Sequence, residues 1–200
     1  MPRPKSIDDE SLLKIARRIF VEGGAMGSTK DIAAQAGISE AALFKRYPTK
    51  AALFLAALAP PQADTAFMLE AARAAPDARA GLHLLARHIC GYFRMAIPLM
   101  LPLLSHPVIG LDELRRRFGE PQAERLASAM AQFIRFHQKR GAMRAANPTA
   151  AAGLLVAALH SVALFEMMGL HGGAVPPAAL KAMVDTLWAG LAPKPKGRTA

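Results

Sequence analysis

Residues 28–50 read Ser28-Thr29-Lys30-Asp31-Ile32-Ala33-Ala34-Gln35-Ala36-Gly37-Ile38-Ser39-Glu40-Ala41-Ala42-Leu43-Phe44-Lys45-Arg46-Tyr47-Pro48-Thr49-Lys50. Two capping signals open two short helices in this stretch. Ser28 followed three residues later by Asp31 has the spacing of a capping box, and Ser39 is a second N-cap. Gly37 stands between them, where the chain needs a residue tolerant of positive φ. Pro48 ends the second helix, because the residue before a proline is pushed out of the α region. Helix, three-residue turn, helix is the pattern of a helix-turn-helix. Ala33 and Ala36 let the two helices approach, and Ile38 and Leu43 plug the angle between them. The second helix keeps polar side chains in its first half, where base edges in a major groove would meet them.

The flanks extend the unit. Upstream, Leu12, Ile15, Ala16, Ile19 and Phe20 recur at three- and four-residue spacing, which predicts a helix over 6–22 stopped by Gly23-Gly24. Downstream, Thr49 caps a fourth helix carrying Leu53, Phe54 and Leu58 as far as Pro60-Pro61.

The ordered run of Arg18 to Gly24, Ser28 to Ala33 and Ala36 to Lys50 resembles the N-terminal domain of the tetracycline-repressor (TetR) family, without gaps over about residues 11–58. The family most often has Tyr then Phe where this chain has Phe44 then Tyr47, and Phe44 lacks the hydroxyl that can bond a phosphate. The helix pattern and the resemblance together give an all-α chain: a three-helix DNA-binding domain (1–50), then a helical regulatory and dimerisation bundle (51–192); the basic tail at 193–200 has no apolar stripe and is expected to be disordered. Chemistry and resemblance together assign the DNA side. Thr29 and nearby amides hold one phosphate and Lys50 another. Lys45 and Arg46 serve phosphates or a guanine edge, Glu40 accepts from a cytosine amino group, and Ala41 touches a thymine methyl. Ser39, Phe44 and Tyr47 complete the expected surface, with Tyr47 packing at the junction. Arg3 and Lys5 form a basic arm.

The wider composition agrees. The chain has 200 residues, 52% of them hydrophobic and 20% charged, which excludes an intrinsically disordered protein. Ala fills 42 positions, favouring helix over strand. A single cysteine, Cys90, excludes an internal disulfide and multi-cysteine metal sites, and fits a reducing, cytoplasmic compartment. The net charge is +10, but residues 1–50 hold nine Lys/Arg against six Asp/Glu, so the motif rather than the charge carries the DNA reading. No phosphate-binding glycine loop, nucleophile elbow or paired-His zinc helix occurs, and no cofactor or enzymatic activity is expected.

Beyond residue 60, prolines and glycines mark out further helices at about 62–75, 77–104, 121–140, 148–168 and 176–191, with one short helix around 112–117 after a loop at 105–110. Pro98 and Pro102 should kink or fray the second of these. Asp112-Glu113 and Arg115-Arg116-Arg117 sit at the helix ends that the dipole prefers. Residues 145–165 carry no charge and pass the length test for a membrane span, yet a buried or oligomer-forming helix looks the same. We expect Leu85, Ile89, Tyr92, Phe93, Met100, Phe133, His137 and Phe165 to line a pocket for a small hydrophobic effector, with His137 or Tyr92 as polar anchor. Leu155, Ala158, Val162, Leu187 and Trp188 are expected at a homodimer interface. The expected function is a sequence-specific regulator, a repressor of a pseudo-palindromic operator. The rival readings are a non-specific DNA-binding protein and a membrane-associated helical protein.

Overall fold

In the computed structural model, which describes residues 7–192, the chain is helical throughout and splits into two compact units. One unit gathers the chain up to Pro61 together with Pro98–Gly119; the other gathers Gln62–Ile97 and the chain from Glu120 onward.

The first unit is built on four capped helices. α1 (Asp9–Gly23) starts three residues after the predicted helix does, because the Asp8 carboxylate accepts from the Ser11 amide at 2.7 Å and acts as N-cap. α2 (Thr29–Gln35) is capped by Ser28, whose hydroxyl accepts from the Asp31 amide at 3.1 Å. α3 (Glu40–Arg46) is capped by Ser39 and α4 (Lys50–Ala57) by Thr49, in the same way. Gly37 has φ of 66°, the left-handed turn its position called for, and the Ile38 amide closes the turn on the Ala33 carbonyl at 3.0 Å.

Leu12, Ala16 and Phe20 of α1 are fully buried with Ile32, Leu43, Leu53 and Phe54, and the Phe20 and Phe54 rings meet edge to face at 4.9 Å. Leu99, Leu103, Ile109 and Leu114 complete this core from a distant part of the sequence. They come from the end of α6 (Ala78–Leu104), which follows α5 (Thr65–Arg73), and from the segment through α7 (Leu111–Phe118). α6 runs on through Pro98 and Pro102, and its side chains change core near them: Ile97 packs in the second unit, Leu99 in the first. In α7 the ion pair that forms is Arg116 with Glu113, three residues apart.

The second unit packs α5 and the first part of α6 with α8 (Gln122–Lys139), α9 (Pro148–Met167) and α10 (Pro177–Leu191). Its core includes Leu82, Leu85, Ile89, Met130, Phe133, Leu159 and Val184. Asn147 caps α9 by accepting from the Thr149 and Ala150 amides, with Pro148 at the first helical position. Two ion-pair clusters tie the helices together. Asp185 of α10 accepts from Arg79 and pairs with His83 of α6, and it accepts from Lys181 one turn back. Arg94 of α6 grips Glu166 of α9 with two bonds of 2.7 Å, while the Val175 amide donates to the same carboxylate.

α9 is long and apolar enough to cross a membrane, with mean hydropathy of 1.7 in its most apolar window. Ala152, Val156, Leu159 and Ala163 nonetheless lie in the core of the second unit, and a single helix of this kind does not make a membrane protein.

Candidate nucleic-acid interface

α3 leaves most of the residues assigned to it from the sequence exposed. Leu43 is fully buried and anchors the helix, while Ser39, Glu40, Ala41, Lys45 and Arg46 are exposed. Phe44 is half-buried, and Tyr47 packs partly buried against the core of the first unit. Burial is the main cause pushing the Tyr47 phenol up, with the Asp9 charge adding to it, so its hydroxyl stays protonated and able to donate. Lys45 has no ion-pair or hydrogen-bond partner among the described residues and is free to meet an anion. Lys50 stands at the first position of α4, half-buried.

Two assigned residues are engaged inside the unit. Arg46 donates to the Ile7 carbonyl at 2.7 Å and pairs with Asp9 at 3.1 Å, bolting the end of α3 to the start of α1. Its spacing within α3 gave no hint of this contact across 37 residues. The Thr29 hydroxyl donates to Glu40 at 2.8 Å, joining the first residue of α2 to the first residue of α3. Arg18 and Gln35 form a further hydrogen bond between α1 and α2.

The structure adds a neighbour that the sequence could not place. The His106 ring meets Phe54 at 4.9 Å with the planes tilted by 51°, and its Nδ1 accepts from the Val108 amide. Burial, then the charge of Lys50, holds its imidazole below the usual value. The contact joins residues 52 positions apart, so no local pattern records it. Lys30, exposed beside Thr29, is a second cation that the motif reading passed over. The proposed arm residues Arg3 and Lys5, and the tail at 193–200, lie outside the described residues.

In the second unit, Leu85, Ile89, Tyr92, Phe93, Phe133 and His137 share one buried neighbourhood. Met100 does not join them. It packs partly buried against the core of the first unit, because the chain beyond Pro98 belongs there. Phe165 is 38% exposed. The His137 ring lies 4.5 Å from Phe133 and 5.0 Å from Phe136, and its Nε2 has no hydrogen-bond partner among the described residues. Burial, then Arg140 and Arg73, holds its imidazole below the usual value. Burial pushes the Tyr92 phenol up to about 12. A separate open cleft of about 560 Å³ lies along α5 and α8, lined by Thr65, Leu69, Glu124, Arg125, Ser128 and Gln132 among others. It contains none of the residues assigned to the apolar pocket.

Of the residues expected at a dimer interface, Leu155 and Val162 turn inward and are buried in the core of their own unit. Ala158 is half-exposed, and Leu187 and Trp188 are half-buried against the core. The outer face of α9 carries Gly153, Leu154, Ala157 and Phe165 instead, one residue round from the expected stripe. A helix apolar all round gives no sequence signal for which face is inside.

Comparison with known proteins agrees with this geometry. Residues 12–57 match the family of bacterial regulatory proteins described as the tetR family, so this segment carries the N-terminal domain of that family. The fold is shared with several solved structures. A TetR-family transcriptional regulator from Pectobacterium atrosepticum is 24% identical, with 94% of this chain and 95% of that one covered and a TM-score of 0.57. A candidate transcriptional regulator from Saccharomonospora viridis in complex with choline is 20% identical, with 92% and 97% covered and a TM-score of 0.67. The transcriptional regulator FadR from Bacillus subtilis in complex with stearoyl-CoA is 14% identical, with 91% and 96% covered and a TM-score of 0.63. No curated protein matches the sequence.

Proposed function

We propose that this regulator is a cytoplasmic, homodimeric repressor that reads a pseudo-palindromic operator and is released by a small effector. The observation that carries the reading is α3, anchored by the buried Leu43 and exposing Ser39, Glu40, Ala41 and Lys45 on one short helix. Phosphate contacts from Lys50 and Lys45 set register, and Glu40 and Ala41 touch base edges. A dimer presents two such helices to half-sites about 34–36 Å apart, or a multiple of that spacing. The outer face of α9 with half-buried Trp188 and Leu187 of α10 is the surface we assign to that dimer.

The second unit would hold the effector, and no catalytic step is required of it. Choline and stearoyl-CoA, seen with two structural relatives, differ so much in size and polarity that the fold alone does not choose a ligand class. The apolar neighbourhood of Leu85, Ile89, Phe93 and Phe133 favours a hydrophobic molecule, with His137 or Tyr92 as its polar contact. Coupling between effector and DNA is reciprocal, so operator weakens effector binding by the factor that effector weakens operator binding.

Selection of bound sequences from random duplex DNA tests the core of this reading. A recovered inverted repeat supports both specificity and two-fold symmetry. Equal affinity for all duplexes at fixed salt overturns it in favour of non-specific binding.

A further inference from the structure

Thr29 occupies the place where the motif predicts a phosphate ligand, yet its only hydroxyl proton is committed elsewhere. Thr29 Oγ1 donates to Glu40 Oε1 at 2.8 Å, with Thr29 half-buried and Glu40 exposed. A threonine hydroxyl has one proton to give. A phosphate oxygen only accepts, so while the proton points at Glu40 the side chain has nothing to offer the DNA backbone.

The effect on Glu40 is the larger one. A glutamate side chain has three rotatable bonds, and freezing it on binding loses rotamer entropy. Here one carboxylate oxygen is already fixed, while Oε2 has no hydrogen-bond partner among the described residues. The Ser39 hydroxyl is taken by the Ala42 amide and does not compete for it. The result is a pre-aimed group that only accepts, at the first residue of the exposed helix. Beside phosphates such a group is repelled. Beside an exocyclic amino group it is matched, cytosine N4 above all. An acid in this position therefore opposes indiscriminate binding and rewards one base.

We propose that Thr29 is a positioning residue: its hydroxyl holds the Glu40 carboxylate in place to read a base amino group in the major groove. This rests on the proposed sequence-specific reading of α3.

The test uses full-length protein and the duplex recovered by selection from a random pool, together with its single-base-pair variants at one salt concentration. Four variants are compared with the parent: Thr29→Val, Thr29→Ser, Glu40→Ala, and Thr29→Val with Glu40→Ala. The parent should discriminate at one base pair by roughly 5- to 150-fold. Thr29→Val and Glu40→Ala should both flatten that position to within about twofold, leave the other positions intact, and not add in the double variant. Thr29→Ser should retain discrimination, and the salt slope of Thr29→Val should match the parent's.

Two outcomes overturn the proposal while leaving the function standing. In one, Thr29→Val weakens every duplex equally with a shallower salt slope, which is the signature of a phosphate ligand. In the other, the base preference is unchanged and only the melting temperature falls, which is the signature of a plain tie between helices. If the parent itself selects no sequence, the proposed function fails and the positioning role fails with it.

Discussion

Single side chains set distinct kinds of behaviour here. Lys50, a point charge at the head of α4, is proposed to neutralise a phosphate whatever the neighbouring bases. Lys50→Ala should weaken binding to all duplexes and reduce the slope of log affinity against log salt by about 0.9, read from titrations over a salt series. His137 shows the cost of a polar atom without a partner. Its folded-state affinity for a proton is lowered, so below the unfolded value near 6.5 the unfolded chain binds protons that the folded chain refuses. The His137 contribution is therefore full at neutral pH and lost as pH falls. Thermal melts at about pH 7.5 and about pH 5 should show a smaller acid loss in His137→Leu than in the parent. His106, lowered in the same direction, is present in both proteins, so their difference isolates His137. At neutral pH the same variant should match or exceed the parent's stability, because the orphaned Nε2 is gone.

At the scale of the element, three side-chain N-caps of the first unit were legible in sequence, at Ser28, Ser39 and Thr49, where a hydroxyl precedes an apolar period. The fourth cap, Asp8, is a carboxylate rather than a hydroxyl and lies inside the range that the pattern gives to the helix. Gly37 was legible for a different reason, since few other residues fit a φ of 66°. What could not be read was orientation. Apolar residues surround α9 on every side, so Leu155 and Leu154 look equivalent on paper, while in the fold one is 4% exposed and the other 70%. Their variants should separate cleanly. Leu155→Ala should cost about 2–5 kcal/mol in denaturant melts by opening a cavity. Leu154→Glu should change folding stability by less than about 0.5 kcal/mol. Sedimentation should nevertheless show Leu154→Glu shifted toward monomer if the outer face of α9 is the dimer surface. Contacts across long sequence separations were equally silent. Arg46 is engaged by Asp9 and Thr29 by Glu40, so two residues assigned to DNA also have partners within the unit, and neither contact leaves a periodic trace.

For the whole molecule, the effector binding proposed for the second unit is measurable without DNA. A ligand that binds only the folded protein at a concentration 100 times its dissociation constant adds about 2.7 kcal/mol. For a chain of this size that should raise Tm by roughly 5–10 °C. A panel spanning quaternary amines, fatty acyl thioesters and uncharged lipophiles reads this directly, and no shift with any member would count against a ligand-responsive regulator. His137→Leu should blunt the response to a ligand that uses the imidazole as its polar contact.

The return of Leu99, Leu103, Ile109 and Leu114 to the first core makes the DNA-reading unit discontinuous along the gene. It is no portable cassette. A polypeptide halted at Pro61 would leave Leu53, Phe54 and Leu58 without those four aliphatic neighbours, and a chimera spliced there would inherit a mismatched lining from its donor. Exchanging operator specificity between relatives therefore means transplanting two segments, up to 61 and 98–119, as one inheritance.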